Sequence, residues 1–437
     1  MSTFLRTSLS HALLCAGLAM ASLAHAQAPQ LPSPDATHPE RTQLMQGFPP
    51  PPDKVVRLAT VLKYPNARWA FHHLRELGPT TDIWRGDKGA LPLSQSTSLL
   101  QDGLAMADGK GGNTTLLDWQ KRTYTDGLLV MHKGQVVYER YDMGMQRHQP
   151  HVLWSMSKSL TGLLATDLIR EGVLDANASI ASYLPELKDS AWGDATLQQT
   201  LDMTTSVKYT EDFTNPASGI FQYLIAAGLV PAPANYPGAR SLAEFLPTQK
   251  KDGEHGQGFT YKTVDTEVVG WVMQRVTGKS FAQLMSERIW SRIGADEDGF
   301  VWADPSGGQS TSVGVSATLR DLGRLGEMLR QDGRVGGRQV VAPSTVAELR
   351  KGADPEKFKA ANQPMRAGYS YHNHWWIPHD ADGSYEAKGL NGQHIHINPK
   401  AELVIVKLSS HPIPNTAFTH GDDRAAFAAI AQAVRAR

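Results

Sequence analysis

Strand patterns lie at two places far apart in the chain, and this separation constrains the fold more than any other feature. After Gly127, apolar residues flank a Lys133-Gly134 turn, which predicts a β-hairpin over residues 128–138. Residues 394–398 and 403–408 are rich in β-branched residues and predict two late strands. We therefore predict an α/β (α+β) fold in which both chain ends build one antiparallel sheet, flanked by helices, around a mostly helical insertion.

Helices are predicted where apolar residues recur at helical spacing. The first begins at Ser155 and ends at Gly172, since glycine favours a helix end. Further helices are predicted over residues 264–276, behind Ser280, over 317–329 behind Ser316, and over 423–434.

These patterns predict one domain over residues 56–437. Its α/β part covers about 56–165 and 300–437, and its helical part covers about 166–299. Within the helical part, residues 210–258 contain many Pro and Gly residues. We expect this irregular segment to form a wall or lid of a site.

The composition excludes several classes of function. The chain has 437 residues with 43 Lys+Arg and 43 Asp+Glu, so its formal net charge is zero. We expect no nucleic-acid partner, because such proteins carry a basic face and a high isoelectric point. Cys15 is the only cysteine. If the segment that contains it is removed, the mature chain has no disulfide, no Cys-ligated zinc and no cysteine nucleophile.

Residues 1–26 are typical of a cleavable secretory signal peptide. Arg6 precedes an apolar run over 12–23 that is too short to cross a membrane, and Ala24-His25-Ala26 is a small-x-small cleavage site. Cleavage after Ala26 predicts a secreted or periplasmic protein. No later stretch approaches about 18 uninterrupted apolar residues, so we expect no stable membrane insertion.

A lipid anchor on Cys15 is the alternative to a free exported chain. Leu14 disfavours it, because a lipid-attachment site needs a small residue there.

Residues 27–55 follow the signal and contain the Pro-rich pieces 31–34 and 49–52. They predict a linker.

The strongest chemical signal is Ser155-Met156-Ser157-Lys158 at the start of the first predicted helix. A serine and a lysine three positions apart share a helix face, and the helix N-terminus favours negative charge on the serine oxygen. Lysine can remove the serine proton only if its pKa falls from about 10.4 to about 7–8. The motif alone occurs by chance. The apolar residues 152–154 before it and the amphipathic helix behind it favour a nucleophilic serine.

Three motifs in this order resemble the serine β-lactamase and penicillin-binding protein superfamily: Ser155–Lys158, Tyr261-Lys262-Thr263, and Gly389-Leu390-Asn391-Gly392-Gln393. The chain is more narrowly similar to the 6-aminohexanoate-dimer (nylon-oligomer) hydrolase branch. That resemblance rests on residues 69–77, 211–218, 389–393 and 404–410. It covers about residue 60 to the end, and four ordered motifs are more specific than one.

The resemblance implies roles for individual residues. Ser155 is the acylated nucleophile, Lys158 its base, and Tyr261 the second proton-transfer partner. The backbone N–H groups of Ser155 and Gln393 form the oxyanion hole that the tetrahedral intermediate requires. Substrate-binding positions are Phe213, Thr263, Leu390, Asn391 and Gly392.

Departures from the superfamily pattern indicate the substrate. Thr263 replaces a common asparagine, and Leu390-Asn391-Gly392 replaces Lys-Thr-Gly, which removes the lysine that grips a substrate carboxylate. Efficient penicillin hydrolysis is therefore not expected. Phe213 stands where the nylon-oligomer enzymes carry a tyrosine whose hydroxyl contacts the leaving amide nitrogen. Its absence favours ester over amide hydrolysis.

The 16 histidines suggest a metal site as a competing interpretation. His394 and His396 alternate on a predicted strand, and His372, His374 and His379 lie in a Trp-rich segment. No His-Glu-x-x-His motif accompanies them, so we predict structural roles, no metal and no cofactor.

The sequence thus predicts an exported serine hydrolase that acts on a small-molecule amide or ester through an acyl-enzyme. Two alternatives stay open. One is a non-catalytic penicillin-binding-type module that binds peptide or cell-wall fragments, and the other is a histidine-based metallohydrolase. The sequence also leaves open whether the protein is a homodimer.

Overall fold

A seven-stranded antiparallel sheet built from both halves of the chain organises the fold, as predicted. The computed structural model describes residues 31–96, 99–415 and 417–436, so the predicted signal peptide lies outside the described residues. The strands are β1 (Thr80–Ile83), β2 (Ala105–Ala107), β3 (Asn113–Thr115), β4 (Thr125–His132), β5 (Gln135–Tyr141), β6 (His151–Val152), β7 (Gly299–Trp302), β8 (Val315–Ala317), β9 (Arg334–Val335), β10 (Arg338–Gln339), β11 (Ser370–His372), β12 (Trp375–Ile377), β13 (Tyr385–Gly389), β14 (Gln393–Asn398) and β15 (Leu403–Ser409).

Helices cover the sheet and fill the middle of the chain. The α-helices are α1 (Pro39–Thr42), α2 (Asn66–Ala70), α3 (Leu116–Arg122), α4 (Met156–Arg170), α5 (Ile180–Tyr183), α6 (Leu197–Leu201), α7 (Gly219–Ala226), α8 (Leu242–Phe245), α9 (Thr263–Thr277), α10 (Phe281–Met285), α11 (Leu319–Arg330), α12 (Pro343–Lys351), α13 (Pro355–Phe358) and α14 (Ala417–Arg435).

The sheet has the order β11-β12-β13-β14-β15-β4-β5, so strand β4 from the first half pairs with β15 from the end. Val406 lies opposite Leu129 in this pair. Because side chains alternate along a strand, each strand contributes to both faces. Leu129 and Val406 join the main core with α4 and α11, whereas Leu128 and Ile405 join a second core with α3 and α14.

Helix α4 runs through the centre of the molecule and is buried from Met156 to Leu168. It begins immediately after Ser155, as predicted, and Gly172 follows its end with φ 75°. A Cβ on Gly162 would lie 2.0 Å from the carbonyl oxygen of Asn373, so this glycine lets α4 approach the β11–β12 turn. The N-terminal end of α4 lies beside the end of β13, where Gly389 approaches Leu153.

A smaller sheet, of order β1-β7-β8-β6, holds the entry into α4. Strand β6 pairs with β8, and β8 leads into α11. Helix α11 starts at Leu319 behind a Thr318 cap rather than behind Ser316, because Ser316 lies in β8 and pairs with Val152.

The segment predicted as a linker differs from the prediction where the structure describes it. Residues 33–437 form one compact unit. Leu44 is buried in the main core, and helix α1 precedes it. From Ser33 onward the segment is therefore part of the folded unit, because its apolar side chains Leu44 and Met45 pack against the main core. None of the described helices is long and apolar enough to cross a membrane.

Candidate active site

Ser155 lies on a sharp turn between β6 and α4. Trp154, the residue before it, has φ 45°, a left-handed conformation that is uncommon for a large side chain and marks a strained functional turn. Strand β8 holds both sides of the turn. The Leu153 N–H donates to the Val315 carbonyl at 2.9 Å, and the Val315 N–H donates to Ser157 Oγ at 3.1 Å. Ser155 is thus presented at the positive end of a 15-residue helix.

Lys158 is fully buried one helical turn further along, and its Nζ donates to Ser155 Oγ at 2.9 Å. Burial lowers the pKa of Lys158 to about 8, because a desolvated ammonium is disfavoured, while Glu211 and Glu267 act in the opposite direction. A substantial fraction of the amine is therefore neutral near pH 8 and can accept the serine proton.

A buried carboxylate fixes the second contact of Lys158. The Lys158 amine also donates to the Ser312 carbonyl oxygen at 3.2 Å. Glu267 holds this loop, because its Oε1 accepts from the N–H of Ser312 at 3.2 Å and from Ser312 Oγ at 2.6 Å. The same carboxylate accepts the Tyr223 hydroxyl at 2.7 Å and the Thr311 N–H at 2.9 Å. Glu267 is thus a positioning residue for the lysine.

Tyr261 brings a hydroxyl to the same serine. It lines the cavity together with Ser155, and Lys158 Nζ lies 5.3 Å from its ring centroid. The ring stacks on Trp376 with a centroid separation of 5.6 Å. Burial and the charge of Glu211 raise the pKa of Tyr261, so it is a neutral hydroxyl that can relay a proton.

Glu211 is a carboxylate in the site to which the sequence analysis assigned no role. It lines the cavity together with Ser155, and its Oε1 accepts the Thr263 N–H at 2.6 Å. Burial raises the pKa of Glu211, and the nearby Lys158 partly offsets this rise. The only sequence signal was its place in the 211–218 motif. Thr263, which was predicted to bind substrate, contacts Glu211 through its backbone N–H.

Gly389 brings the end of β13 against the Ser155 turn. A Cβ at this position would lie 2.2 Å from the carbonyl oxygen of Leu153, so only glycine allows this approach. Leu390 follows directly, and it lines the cavity together with Ser155 and Gly389. The backbone after Gly389 is thus the part of the late strands that reaches the serine.

Gln393 and Gly392 do not line this cavity, contrary to the prediction. Gln393 is 1% exposed, and its side-chain amide donates to the carbonyl oxygens of Leu390 at 3.0 Å and Ser409 at 2.6 Å. Gly392 has φ 97° and packs against Ser409. The reason is the tight turn over 390–392, which places β14 one strand away from the serine. These contacts concern the Gln393 side chain, so the oxyanion role of its backbone N–H stays a prediction.

The cavity at Ser155 has two compartments that share Ser155, Glu211, Phe213 and Leu390. The outer compartment has a volume of about 210 Å³ and also contains Tyr261. The inner compartment has about 30 Å³ and is mostly apolar. It is lined by the four shared residues and by Leu62, Trp154, Ile220, Leu224, Thr263, Val313, Asn391 and Pro414.

Phe213, Leu390, Thr263 and Asn391, all predicted to bind substrate, thus line this cavity. The Asn391 side chain donates to the His411 carbonyl oxygen at 2.7 Å, so it braces the turn.

The outer compartment is lined by two cationic side chains, Arg366 and Lys388, that the motif comparison did not predict. The missing lysine of the Lys-Thr-Gly element had suggested a site without cations. Arg366 ends a short 3₁₀-helix, Pro364–Arg366, between α13 and β11, where no sequence pattern indicated a role. Lys388 precedes Gly389 by one residue, and only the fold shows that it faces the same cavity.

The histidines make contacts within the protein. His396 Nδ1 lies 3.0 Å from Glu386 Oε1, and His394 Nε2 lies 3.6 Å from the same oxygen. His374 is fully buried, and burial lowers its pKa to about 3. In the described part of the chain, no group of three or more His, Cys, Asp or Glu side chains is arranged to hold a metal ion.

Comparisons with known proteins agree with this geometry. The sequence profile of the β-lactamase family matches residues 102–430. A 6-aminohexanoate-dimer hydrolase of Paenarthrobacter ureafaciens is 34% identical over 363 residues, which is 82% of this chain and 88% of that protein. A candidate 6-aminohexanoate-dimer hydrolase of Bacillus anthracis has a similar structure, with a TM-score of 0.81, 31% identity, and coverage of 88% of this chain and 99% of the other.

A more distant structure shows the fold alone. It is a hydrolase with promiscuous acyltransferase activity, with a TM-score of 0.53, 17% identity, and coverage of 70% of this chain and 92% of the other. The serine-lysine-tyrosine cluster at the N-terminal end of α4 and the matches over most of the chain lead to one conclusion. The chain is a hydrolase of the β-lactamase family, related to 6-aminohexanoate-dimer hydrolases.

Proposed function

We propose that this chain is an exported serine hydrolase that cleaves small esters, and amides less efficiently, through an acyl-enzyme on Ser155. The observation that carries the proposal is the 2.9 Å hydrogen bond from the buried Lys158 amine to Ser155 Oγ inside a cavity. A neutral amine at this place is the base that a serine hydroxyl needs.

Acylation follows from the positions of three side chains. Lys158 Nζ takes the Ser155 proton while Oγ bonds to the substrate carbonyl carbon, which places negative charge on the carbonyl oxygen. The proton returns through Tyr261 to the leaving oxygen or nitrogen as the carbon–leaving-group bond breaks. Water then attacks the acyl carbon, its proton passes to Lys158 or Tyr261, and Ser155 Oγ leaves with a proton.

The oxyanion formed in these steps needs two preorganised donors. We assign the first to the N–H of Ser155, at the N-terminus of α4. We assign the second to the N–H of Leu390 in place of that of Gln393. Support comes from Gly389, whose missing Cβ brings this backbone against Leu153, two residues before the nucleophile.

The preference for esters rests on Phe213. This side chain lines both compartments with Ser155 but has no hydroxyl to assist an amine leaving group. An alkoxide or phenoxide leaving group needs less assistance. The name of the Paenarthrobacter ureafaciens relative makes a linear aminohexanoate dimer the amide to test. Export rests on residues 1–26 of the sequence.

Intact mass after treatment with a fluorophosphonate probe tests the mechanism. We expect one adduct on the wild-type protein and none on Ser155→Ala. Ser182→Ala is the matched control, because this exposed serine hydroxyl donates to the Ser179 carbonyl oxygen outside the cavity. It should keep the adduct. A panel of p-nitrophenyl esters, the linear dimer and a chromogenic cephalosporin then identifies the substrate class. A folded wild-type protein without adduct or turnover would support a non-catalytic binding module instead.

A further inference from the structure

We propose that a second cavity, separate from the one at Ser155, binds a neutral polyhydroxylated ligand with the chemistry of a monosaccharide. This α14 cavity lies between helix α14 and the strands β13 and β14, and its volume is about 290 Å³. That volume is close to the lower end of the range usual for ligand cavities, about 300–1,000 Å³. Among the described residues, none lines both this cavity and either compartment at Ser155.

Small residues on α14 create the space for a ligand. Arg424, Ala428, Ala431 and Arg435 recur at helical spacing and therefore lie on one face of this helix. All four line the cavity. The two alanines leave a gap in the middle of the face, and an arginine stands at each end of the gap. Phe427 lines the cavity beside them and offers an apolar ring on which the C–H face of a sugar can pack.

The sheet presents polar side chains to this gap. Glu386 of β13 lies opposite His396 of β14 in the strand register. Because side chains alternate along a strand, both point toward α14, whereas their neighbours Tyr385 and Ile397 join the main core. The His396 ring packs on Phe427 with a centroid separation of 5.0 Å. A sheet face beneath a helix is usually apolar, so the polar groups here must find hydrogen-bond partners.

Two buried side chains beside the cavity have unused hydrogen-bonding capacity. Ser384 is 1% exposed, and its Oγ has no hydrogen-bond partner within the described part of the protein. His396 is 6% exposed, and its Nδ1 lies 3.0 Å from Glu386 Oε1. This contact leaves Nε2 as the ring nitrogen that a ligand can bind. A buried hydroxyl without a partner is costly, and a ligand hydroxyl in the cavity would satisfy it.

The fixed charges around the cavity cancel, which favours a neutral ligand. In the described part of the chain, the carboxylates and arginines that line it are Asp380, Asp382, Glu386, Arg424 and Arg435. Arg435 Nη2 donates to Asp382 Oδ2 at 2.5 Å, and Lys388 Nζ, from outside the cavity, lies 2.6 Å from Glu386 Oε2. Asp380 and Arg424 are the remaining charges, one of each sign. Hydroxyl groups both donate and accept, so they match such paired charges.

The Lys388–Glu386 pair separates this site from the reaction at Ser155. Lys388 lines the outer catalytic compartment, and Glu386 lines the α14 cavity. A ligand in the α14 cavity therefore does not occupy the position of the substrate. Its binding can be measured without turnover, and it does not depend on the proposed hydrolysis.

Ligand-observed NMR and calorimetry with the methyl glycosides of glucose, galactose and N-acetylglucosamine test the site. We expect at least one of them to bind the wild-type protein with a Kd of about 1–10 mM, which suits a ligand of so few atoms. Glycine and acetate are the zwitterionic and anionic comparisons, and both should bind more weakly because the lining has no excess charge.

Ala428→Phe should abolish glycoside binding, because the added ring fills the gap from its exposed side. Gln432→Phe is the matched control, since this residue is exposed on the same helix and does not line the cavity. Arg424→Gln should weaken binding by about 10-fold and Ser384→Ala by about 3-fold, as expected for a charged and a neutral hydrogen bond. Thermal melting identifies a variant that fails to fold, in which case the other two decide.

Three results would overturn the proposal. The first is that none of the glycosides binds the folded wild-type protein. The second is unchanged binding in folded Ala428→Phe, which would place the ligand elsewhere. The third is tighter binding of glycine or acetate that Ala428→Phe abolishes, which would show a charged class of ligand. None of these results bears on the acyl-enzyme at Ser155, which fluorophosphonate labelling tests separately.

Discussion

At the scale of residues, the site depends on Lys158, a lysine whose side chain is buried away from solvent. The same side chain on a solvated helix would stay protonated, since its usual pKa is 10.5. Complete burial of Lys158 removes the hydration that stabilises the ammonium, and the Ser312 carbonyl and Ser155 hydroxyl accept its hydrogens. Spacing predicted that the two side chains meet, and burial makes the lysine a base.

Activity should rise with pH through the pKa of Lys158. The active form is the neutral amine, so kcat/KM for a neutral ester should be half-maximal at about pH 8, lower below it and constant above it. A pH profile from about pH 6 to about pH 10 measures this, and the rate of fluorophosphonate labelling should follow the same curve. A flat profile would show that Lys158 is not the base.

Phe213→Tyr should raise amide relative to ester hydrolysis. The added hydroxyl would lie in the cavity beside Ser155 and could bind a leaving nitrogen, which is worth about 3–10-fold in rate. The ratio of kcat/KM for the aminohexanoate dimer to that for a short p-nitrophenyl ester measures it. Phe221→Tyr, on the ring that contacts Phe213 with a 6.3 Å centroid separation, is the control. An unchanged ratio would remove the support that Phe213 gives to ester preference.

At the scale of elements, the site forms where the start of α4 meets the end of β13. Periodicity located α4 to within a few residues, because apolar residues recur at helical spacing along it, but no pattern predicted β13. Which residue of the late strands faces the serine was not predictable. It depends on the length of the turn over 390–392, which places Leu390 at the cavity and Gln393 away from it.

Gly389→Ala should reduce kcat/KM by about 100-fold or more. The new methyl group would lie 2.2 Å from the Leu153 carbonyl oxygen, so β13 must move away and the donor at Leu390 is displaced. Gly103→Ala is the control, because nothing lies within 4 Å of its Cβ. Steady-state kinetics with circular dichroism separates lost activity from lost folding. Wild-type activity in Gly389→Ala would exclude Leu390 as the second donor.

At the scale of the whole molecule, buried charges join distant segments of the chain. Arg68 of α2 and Asp126 of β4 are each 1% exposed, and Nη1 donates to Oδ1 at 2.7 Å. The same nitrogen reaches Ser410 Oγ at 3.2 Å, just after β15. Burial tends to raise the pKa of Asp126, but the Arg68 guanidinium holds it below its usual range. Residues before the sheet are therefore part of its support.

Arg68→Met should lower the free energy of unfolding by about 3–5 kcal/mol, because it leaves a buried carboxylate without its main partner. Arg75→Met, which removes an exposed pair with Asp82, should cost less than about 1 kcal/mol. Urea unfolding at neutral pH measures both. Equal effects of the two substitutions would show that the buried pair is not a main support of the fold.

The sequence by itself determined the class of fold, the long helices, the central strands and the serine, lysine and tyrosine of the site. These follow from local periodicity and from motifs that each span a few residues. Only the tertiary structure decided that Glu211, Arg366 and Lys388 line its cavity. Those contacts join Ser155 to residues that lie between 56 (Glu211) and 233 (Lys388) positions away in the printed sequence. They depend on packing distances of a few ångströms that no local pattern of residues encodes.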